Sequence, residues 1–161
     1  MAIDIKLLYE PSLLTIEFHG EVCMNETECV FCKIVQKQAP ASILYEDAQV
    51  LAFMDIRPVR EGHTLIIPKQ HYVNIFEIPE ETLANTYLVV KKITIAVKKT
   101  TKADGISIVQ QNGKAAGQDI FHLHVHVIPR FDGEKMQRFE DLGLVERETL
   151  ERTADRIRQH L

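Results

Sequence analysis

The sequence predicts an α+β domain: an antiparallel five-stranded sheet with one long helix packed on it, an N-terminal extension before it and a C-terminal helix after it. Three observations lead there. From Pro79 to about Lys99 apolar residues recur at Leu83, Tyr87, Val90, Ile93 and Val97, a helical period, and Lys91, Lys92, Lys98 and Lys99 gather toward the end where the helix dipole favours cations. Short apolar runs bounded by turn residues read as strands on either side of that helix. The run 120–129 alternates without a break, the pattern of a strand with two different faces.

Taken in order, residues 3–18 are rich in Ile, Leu and Phe, with Leu14, Ile16 and Phe18 at period two, and predict an extended hairpin around Glu10-Pro11-Ser12. Thr27 is expected to cap a short helix over 29–35 that stops before Ala39-Pro40 and carries the cysteines on its first turn. Residues 44–46 and 50–54 read as two strands joined at Asp47, and 63–68 as a third after the Glu61-Gly62 turn, with meander pairing the economical arrangement. Residues 105–110 make a fourth strand, 111–119 a glycine-containing loop and 120–129 a fifth. Residues 139–160 have the charge mix of a surface helix divided by Gly143. The expected organisation is therefore an extension over 1–27, one domain over 28–135 and a helical tail over 136–161.

A chain of 161 residues with 45% hydrophobic content supports one compact core. Its net charge of -4 is interspersed along the chain, with no basic stripe, which argues against nucleic acid as the main partner. Asp4, Lys6 and Glu10 interrupt the apolar stretch a signal peptide would need, and no segment approaches the roughly 18 apolar residues of a membrane span. Cys23, Cys29 and Cys32 cannot all pair, and without a secretory signal they are expected to stay reduced in the cytoplasm, available to a metal. Asn25-Glu26-Thr27 matches a glycosylation acceptor, a triplet without meaning in an unsecreted chain.

Alternation across a strand would place His122, His124 and His126 on one face and Leu123, Val125 and Val127 on the other. Three imidazoles about 7 Å apart are costly to explain as packing, because each ring needs partners for two nitrogens. Two chemistries compete for them: a nucleophile-bearing triad, or three ligands on a catalytic zinc. The loop 113–117 just upstream offers backbone N–H groups to phosphate oxygens, which favours phosphate chemistry. Cys29-x-x-Cys32 is half of a tetrahedral zinc site, or else a pair of thiols that merely pack.

The run Gly117-Gln118-Asp119-Ile120-Phe121-His122-Leu123-His124-Val125-His126-Val127-Ile128-Pro129-Arg130 resembles the signature of the histidine-triad (HIT) superfamily of nucleotide hydrolases and transferases. The similarity extends through residues 29–34, 51–56 and 62–69, covering roughly 28–132, and implies a HIT-like sheet. It implies that His124 attacks the α-phosphorus of a purine nucleotide to leave a nucleotidyl-histidine that water hydrolyses, with no catalytic metal required. On the same resemblance the His122 carbonyl orients His124, His126 bonds phosphate oxygens, and His63 supports the triad from the neighbouring strand. Asp55 takes the ribose hydroxyls, Phe31, Ile34, Phe53 and Ile56 sandwich the base, and Gln111 or Asn112 touches phosphate or ribose beside Gly117 and Gln118.

The chain departs from the best-known members at Asp119, where they carry a Ser or Thr that helps the leaving group. A carboxylate there repels phosphate, or accepts from an amine leaving group. Some relatives with this Cys-x-x-Cys complete a structural zinc site with residues that fall on His71 and His122, giving the set Cys29, Cys32, His71 and His122. The expected activity is cleavage of a nucleoside phosphoramidate or a dinucleoside polyphosphate by a homodimer. The competing class is a nucleotide-binding regulatory module whose hydrolysis is incidental, and a zinc hydrolase with all three histidines on the metal is a third.

Overall fold

The computed structural model describes residues 29–135 and 143–161. The elements run α1 (Val30–Val35), β1 (Ile43–Glu46), β2 (Val50–Met54), β3 (Thr64–Pro68), α2 (Glu80–Thr101), β4 (Gly105–Val109), a single 3-10 turn (Lys114–Ala116), β5 (Val125–Arg130) and α3 (Arg147–Arg158). Every pairing is antiparallel, and the five strands lie in the order β1-β2-β3-β5-β4. The expected hairpin over 3–18, Thr27, Cys23 and the start of the C-terminal tail fall outside the described residues.

The meander expected for β1 to β3 is present, and β5 lies between β3 and β4, leaving β4 at the edge. Burial explains the order, since five of the six residues of β5 are buried whereas Ile108 of β4 stays 48% exposed. The fifth strand begins at Val125, not at the expected residue 120. Upstream of it the backbone bonds elsewhere, Leu123 N–H to the Tyr72 carbonyl at 2.6 Å and His122 N–H to the Ile120 carbonyl at 2.9 Å, so no ladder forms over residues 120–124.

The sheet separates two layers. Val50, Ala52 and Met54 of β2, Ile66 of β3, and Val125 and Val127 of β5 face α2, which buries Val89, Val90, Ile93, Ala96 and Val97 against them. Removing each of those larger side chains from water contributes roughly 1.5–3 kcal/mol. Leu150, Ala154 and Ile157 of α3 join this same core. The C-terminal helix is therefore a packed element rather than a surface one, and it starts at Arg147, after Gly143. On the opposite face Leu51, Phe53, Leu65 and Ile67 pack with Cys29, Phe31 and Cys32 of the short α1 segment. That thinly covered face carries the site.

Candidate active site

The turn between β2 and β3 sets the first side chains. Gly62 has φ +92°, and a Cβ there would lie 2.7 Å from Thr101 Cγ2 of α2, so the turn packs on the helix only with glycine. Asp55 N–H donates to the His63 carbonyl at 3.0 Å, which holds the two residues side by side. The Asp55 carboxylate accepts from Arg57 N–H at 2.8 Å through Oδ1 and lies 3.5 Å from His63 Nε2 through Oδ2. Burial pushes its pKa up to about 6, with the Asp119 charge adding and the Arg57 N–H opposing.

The histidine tautomers follow from partners that can only donate or only accept. Val59 N–H points at His63 Nδ1 at 3.1 Å, so Nδ1 accepts and the proton of this ring sits on Nε2. That Nε2–H donates to His126 Nδ1 at 3.0 Å, which places the proton of His126 on its own Nε2. His124 Nδ1 lies 2.7 Å from the His122 carbonyl and must donate to it, leaving the Nε2 lone pair of His124 unprotonated. His122 Nε2 donates to the Pro68 carbonyl at 2.8 Å, turning its Nδ1 lone pair toward the cysteines.

Burial keeps these rings neutral. It lowers His63 and His126 to about 3 and His122 to about 4, with neighbouring imidazoles adding in each case. His124 is lowered from its ordinary value by burial, opposed by the His122 carbonyl and the Asp119 charge.

The three triad rings do not share one face as three equal members. His124 and His126 stand edge to face at 4.9 Å, but Phe31 lies against both His122 and His124, 5.9 and 5.3 Å away, and His122 turns to α1. The reason is the late start of β5, which leaves residue 122 off the ladder. A zinc on all three histidines does not fit, since both ring nitrogens of His122 are engaged away from His124 and His126, Nε2 with the Pro68 carbonyl and Nδ1 with the cysteine sulfurs.

Cys29, Cys32, His71 and His122 bring one ligand atom each to within 4.8 Å of one another. Cys32 Sγ lies 3.3 Å from His71 Nδ1, and both sulfurs lie 3.5 Å from His122 Nδ1, spacings a tetrahedral ion of Cys₂His₂ type requires. The Pro68 carbonyl on the far nitrogen of His122 supplies the outer partner that metal-bound histidine ordinarily has. These residues fit zinc. Asp55, His63 and His126 also cluster, but an ion there needs the His63 Nε2 lone pair and so a proton on Nδ1, directed against Val59 N–H. The hydrogen-bonded chain of tautomers fits that cluster better than a metal does.

The glycine loop differs from the expected phosphate cradle. Gly113 N–H is bonded to Gln118 Oε1, Ala116 N–H and Gln118 N–H to the Gly113 carbonyl, and Gly117 N–H to the Lys114 carbonyl, so these donors close the turn on itself. Gln118 is buried and its amide also donates to the Val73 and Ile120 carbonyls at 2.6 and 3.1 Å, a brace rather than a ligand contact. Gln111 donates to the Ala116 carbonyl at 2.8 Å, and Gly117 has φ +87° with Gln111 Nε2 2.5 Å from where a Cβ would be. Asn112 Oδ1 accepts from Ile75 N–H and Gln110 Nε2. Asp119 projects outward beside His124, its Oδ1 accepting from Ile120 N–H at 2.8 Å and lying 4.0 Å from His124 Nε2.

Of the residues expected around a base, Phe31 and Phe53 are buried and packed edge to face at 5.5 Å, Ile34 is half-buried, and Ile56 is exposed. Val59, Pro68 and Tyr72 were not singled out from the sequence. They act through backbone groups, for which side-chain identity carries no signal.

A five-stranded antiparallel sheet with a histidine cluster at the start of the interior strand β5 defines the class. Residues 36–133 match the HIT domain model, and the chain belongs to the HIT domain family. A HIT-like protein of Methanocaldococcus jannaschii is 48% identical over 106 residues, 66% of this chain and 81% of that protein. An adenosine 5'-monophosphoramidase of Candida albicans is 38% identical over 112 residues, 67% of this chain and 74% of that protein. An adenylylsulfatase of Arabidopsis thaliana is 41% identical over 117 residues, 73% of this chain and 59% of that protein. The crystal structure of a zinc-bound histidine triad family protein from Mycobacterium smegmatis has a TM-score of 0.75 at 39% identity, covering 84% of this chain and 94% of that one.

Proposed function

We propose that this protein is a hydrolase of purine nucleotides substituted at the α-phosphate, working through a nucleotidyl-histidine on His124. One observation carries the reading: the 2.7 Å bond from His124 Nδ1–H to the His122 carbonyl presents a neutral Nε2 lone pair beside a second imidazole whose Nε2 bears a proton. The relatives named as an AMP phosphoramidase and an adenylylsulfatase support it.

In the first step His124 Nε2 forms a bond to the α-phosphorus while the bond to the leaving group breaks, its electron pair departing with that group. The His126 Nε2–H donates to a non-bridging phosphate oxygen as charge shifts onto it. Asp55 accepts from the ribose hydroxyls. In the second step a water oxygen bonds phosphorus, the P–N bond returns its pair to Nε2, and the water's proton leaves to solvent. Cys29, Cys32, His71 and His122 would hold zinc, which would supply cross-linking by clamping the His122 ring, so steadying the carbonyl that orients His124.

Single-turnover incubation with adenosine and guanosine phosphoramidates and polyphosphates tests the reading, with AMP or GMP release and the mass of trapped protein as readouts. An adduct in the wild type and none in His124→Asn is the expected result. No release from any substrate overturns it, and tight AMP binding without release would favour a binding module instead. The reading includes a homodimer, supported by the open edge of β4 and by exposed Leu88, Ile95 and Ile108.

A further inference from the structure

We infer that Asp119 selects the leaving group, making this site prefer α-phosphates that carry an amine over those that carry a further phosphate. The inference rests on the hydrolase reading above and concerns which substrate class that site takes.

The carboxylate is placed firmly although it faces solvent. The residue before it, Gln118, is anchored by three side-chain bonds, accepting from Gly113 N–H and donating to the Val73 and Ile120 carbonyls, and the Ile120 N–H holds Asp119 Oδ1 at 2.8 Å. The side chain is nevertheless 83% exposed and stands 4.0 Å from the buried His124 Nε2. A carboxylate in reach of the phosphorus that His124 would attack must face one of the substituents on that phosphorus.

The chemistry of those substituents decides which. Non-bridging oxygens, the ribose ester oxygen and the bridging oxygen of a polyphosphate are acceptors only, and an acceptor-only carboxylate meets each with repulsion. The nitrogen of a phosphoramidate is the one substituent bearing N–H. Protonated by solvent, it becomes a cationic donor to Asp119, and the bond between them is charge-assisted on both sides. When His124 Nε2 bonds phosphorus, the P–N bond breaks with its pair retained on nitrogen, and a neutral amine departs that is reprotonated from solvent. A phosphate leaving group instead gains negative charge beside Asp119, so the same carboxylate opposes that departure.

A side chain that merely caps the Ile120 turn would have no such preference. Asp119→Asn separates the two roles because the amide oxygen still accepts from Ile120 N–H while the charge is gone. Wild type, Asp119→Asn and Asp119→Glu are compared on the adenosine 5'-phosphoramidate of a primary alkylamine and on diadenosine triphosphate, each read as kcat/KM for AMP release.

In Asp119→Asn we expect roughly a tenfold or greater loss on the amine substrate. A gain of several-fold on the triphosphate should accompany it. Asp119→Glu should keep the wild-type preference in direction. A ratio of the two kcat/KM values that stays within about threefold of wild type in Asp119→Asn, with both substrates still cleaved, overturns the inference and leaves the hydrolase reading intact. Cleavage of neither substrate by the wild type overturns the hydrolase reading itself, and with it the inference.

Discussion

At the scale of single residues, the site is governed by which atom carries a proton. Three imidazoles are oriented by backbone groups that have only one role each, Val59 N–H and the Pro68 and His122 carbonyls, and His63 in turn orients the fourth, His126. A neutral imidazole with its lone pair fixed in direction is a better nucleophile than one free to exchange tautomers. Asp55 sits among these rings at a cost. Its carboxyl is raised to about 6 in the fold against an ordinary 3.8, so the folded state holds that proton more tightly than the unfolded chain. The sign follows: the contribution is fully favourable below about pH 4 and is lost as pH rises through 6. Asp55→Asn is therefore expected to be more stable than wild type at pH 8, on the order of 2 kcal/mol in urea melts. The difference should vanish near pH 4, while AMP affinity falls.

At the scale of elements, the segment around α1 joins the candidate metal site to His122, whose carbonyl accepts from His124. Cys29 is the N-cap of α1 and Cys32 lies one turn on, His71 follows β3, and His122 precedes β5, so one ion would tie three separate stretches of chain. Cys29→Ser is expected to abolish stoichiometric zinc, read by metal analysis of the purified protein. It should also lower kcat more than it raises KM, because the His122 carbonyl loses its clamp. Substitution in the opposite layer should behave differently. Ile93 is fully buried between α2 and the sheet, so Ile93→Ala should cost about 2–4 kcal/mol in denaturant unfolding. Its zinc content should stay unchanged.

At the scale of the whole molecule, the buried imidazoles set how stability depends on pH. His63 and His126 are lowered to about 3 by burial, so between about pH 6.5 and 3 the unfolded chain binds protons that the folded one refuses. Stability present above pH 6.5 is lost as pH falls through that window, outweighing the opposite but smaller effect of Asp55. A thermal midpoint that declines steadily from pH 7 to pH 4, and declines less in His63→Gln, is the expected result. The surface that the homodimer proposal invokes lies on the other side of the molecule. Leu88 is 67% exposed on the outer side of α2, and Ile108 is exposed on the edge strand β4. Under the homodimer proposal Leu88→Lys combined with Ile108→Lys gives a monomer by light scattering.

Much of this organisation is legible in the residues themselves. Helical periodicity located α2 to within two residues at its C-terminal end, because twenty-odd residues of repeated pattern average out local noise. The alternation of apolar runs placed β1 to β4, and the Cys-x-x-Cys and His-x-His-x-His spacings marked half of a metal site and a histidine cluster, whereas His71 and His122 joined the cysteines only through the family resemblance. Local pattern also has a limit. Residues 120–124 alternate like a strand, yet they hydrogen-bond to Tyr72 and to the glycine loop instead of to a neighbour strand. Only the tertiary structure decided that His122 lies off the ladder, that β5 lies between β3 and β4, and that α3 is core. The physical reason is common to all three. Side-chain type and period report how a segment prefers to be buried, whereas which carbonyl or N–H meets it depends on segments dozens of residues away in the chain.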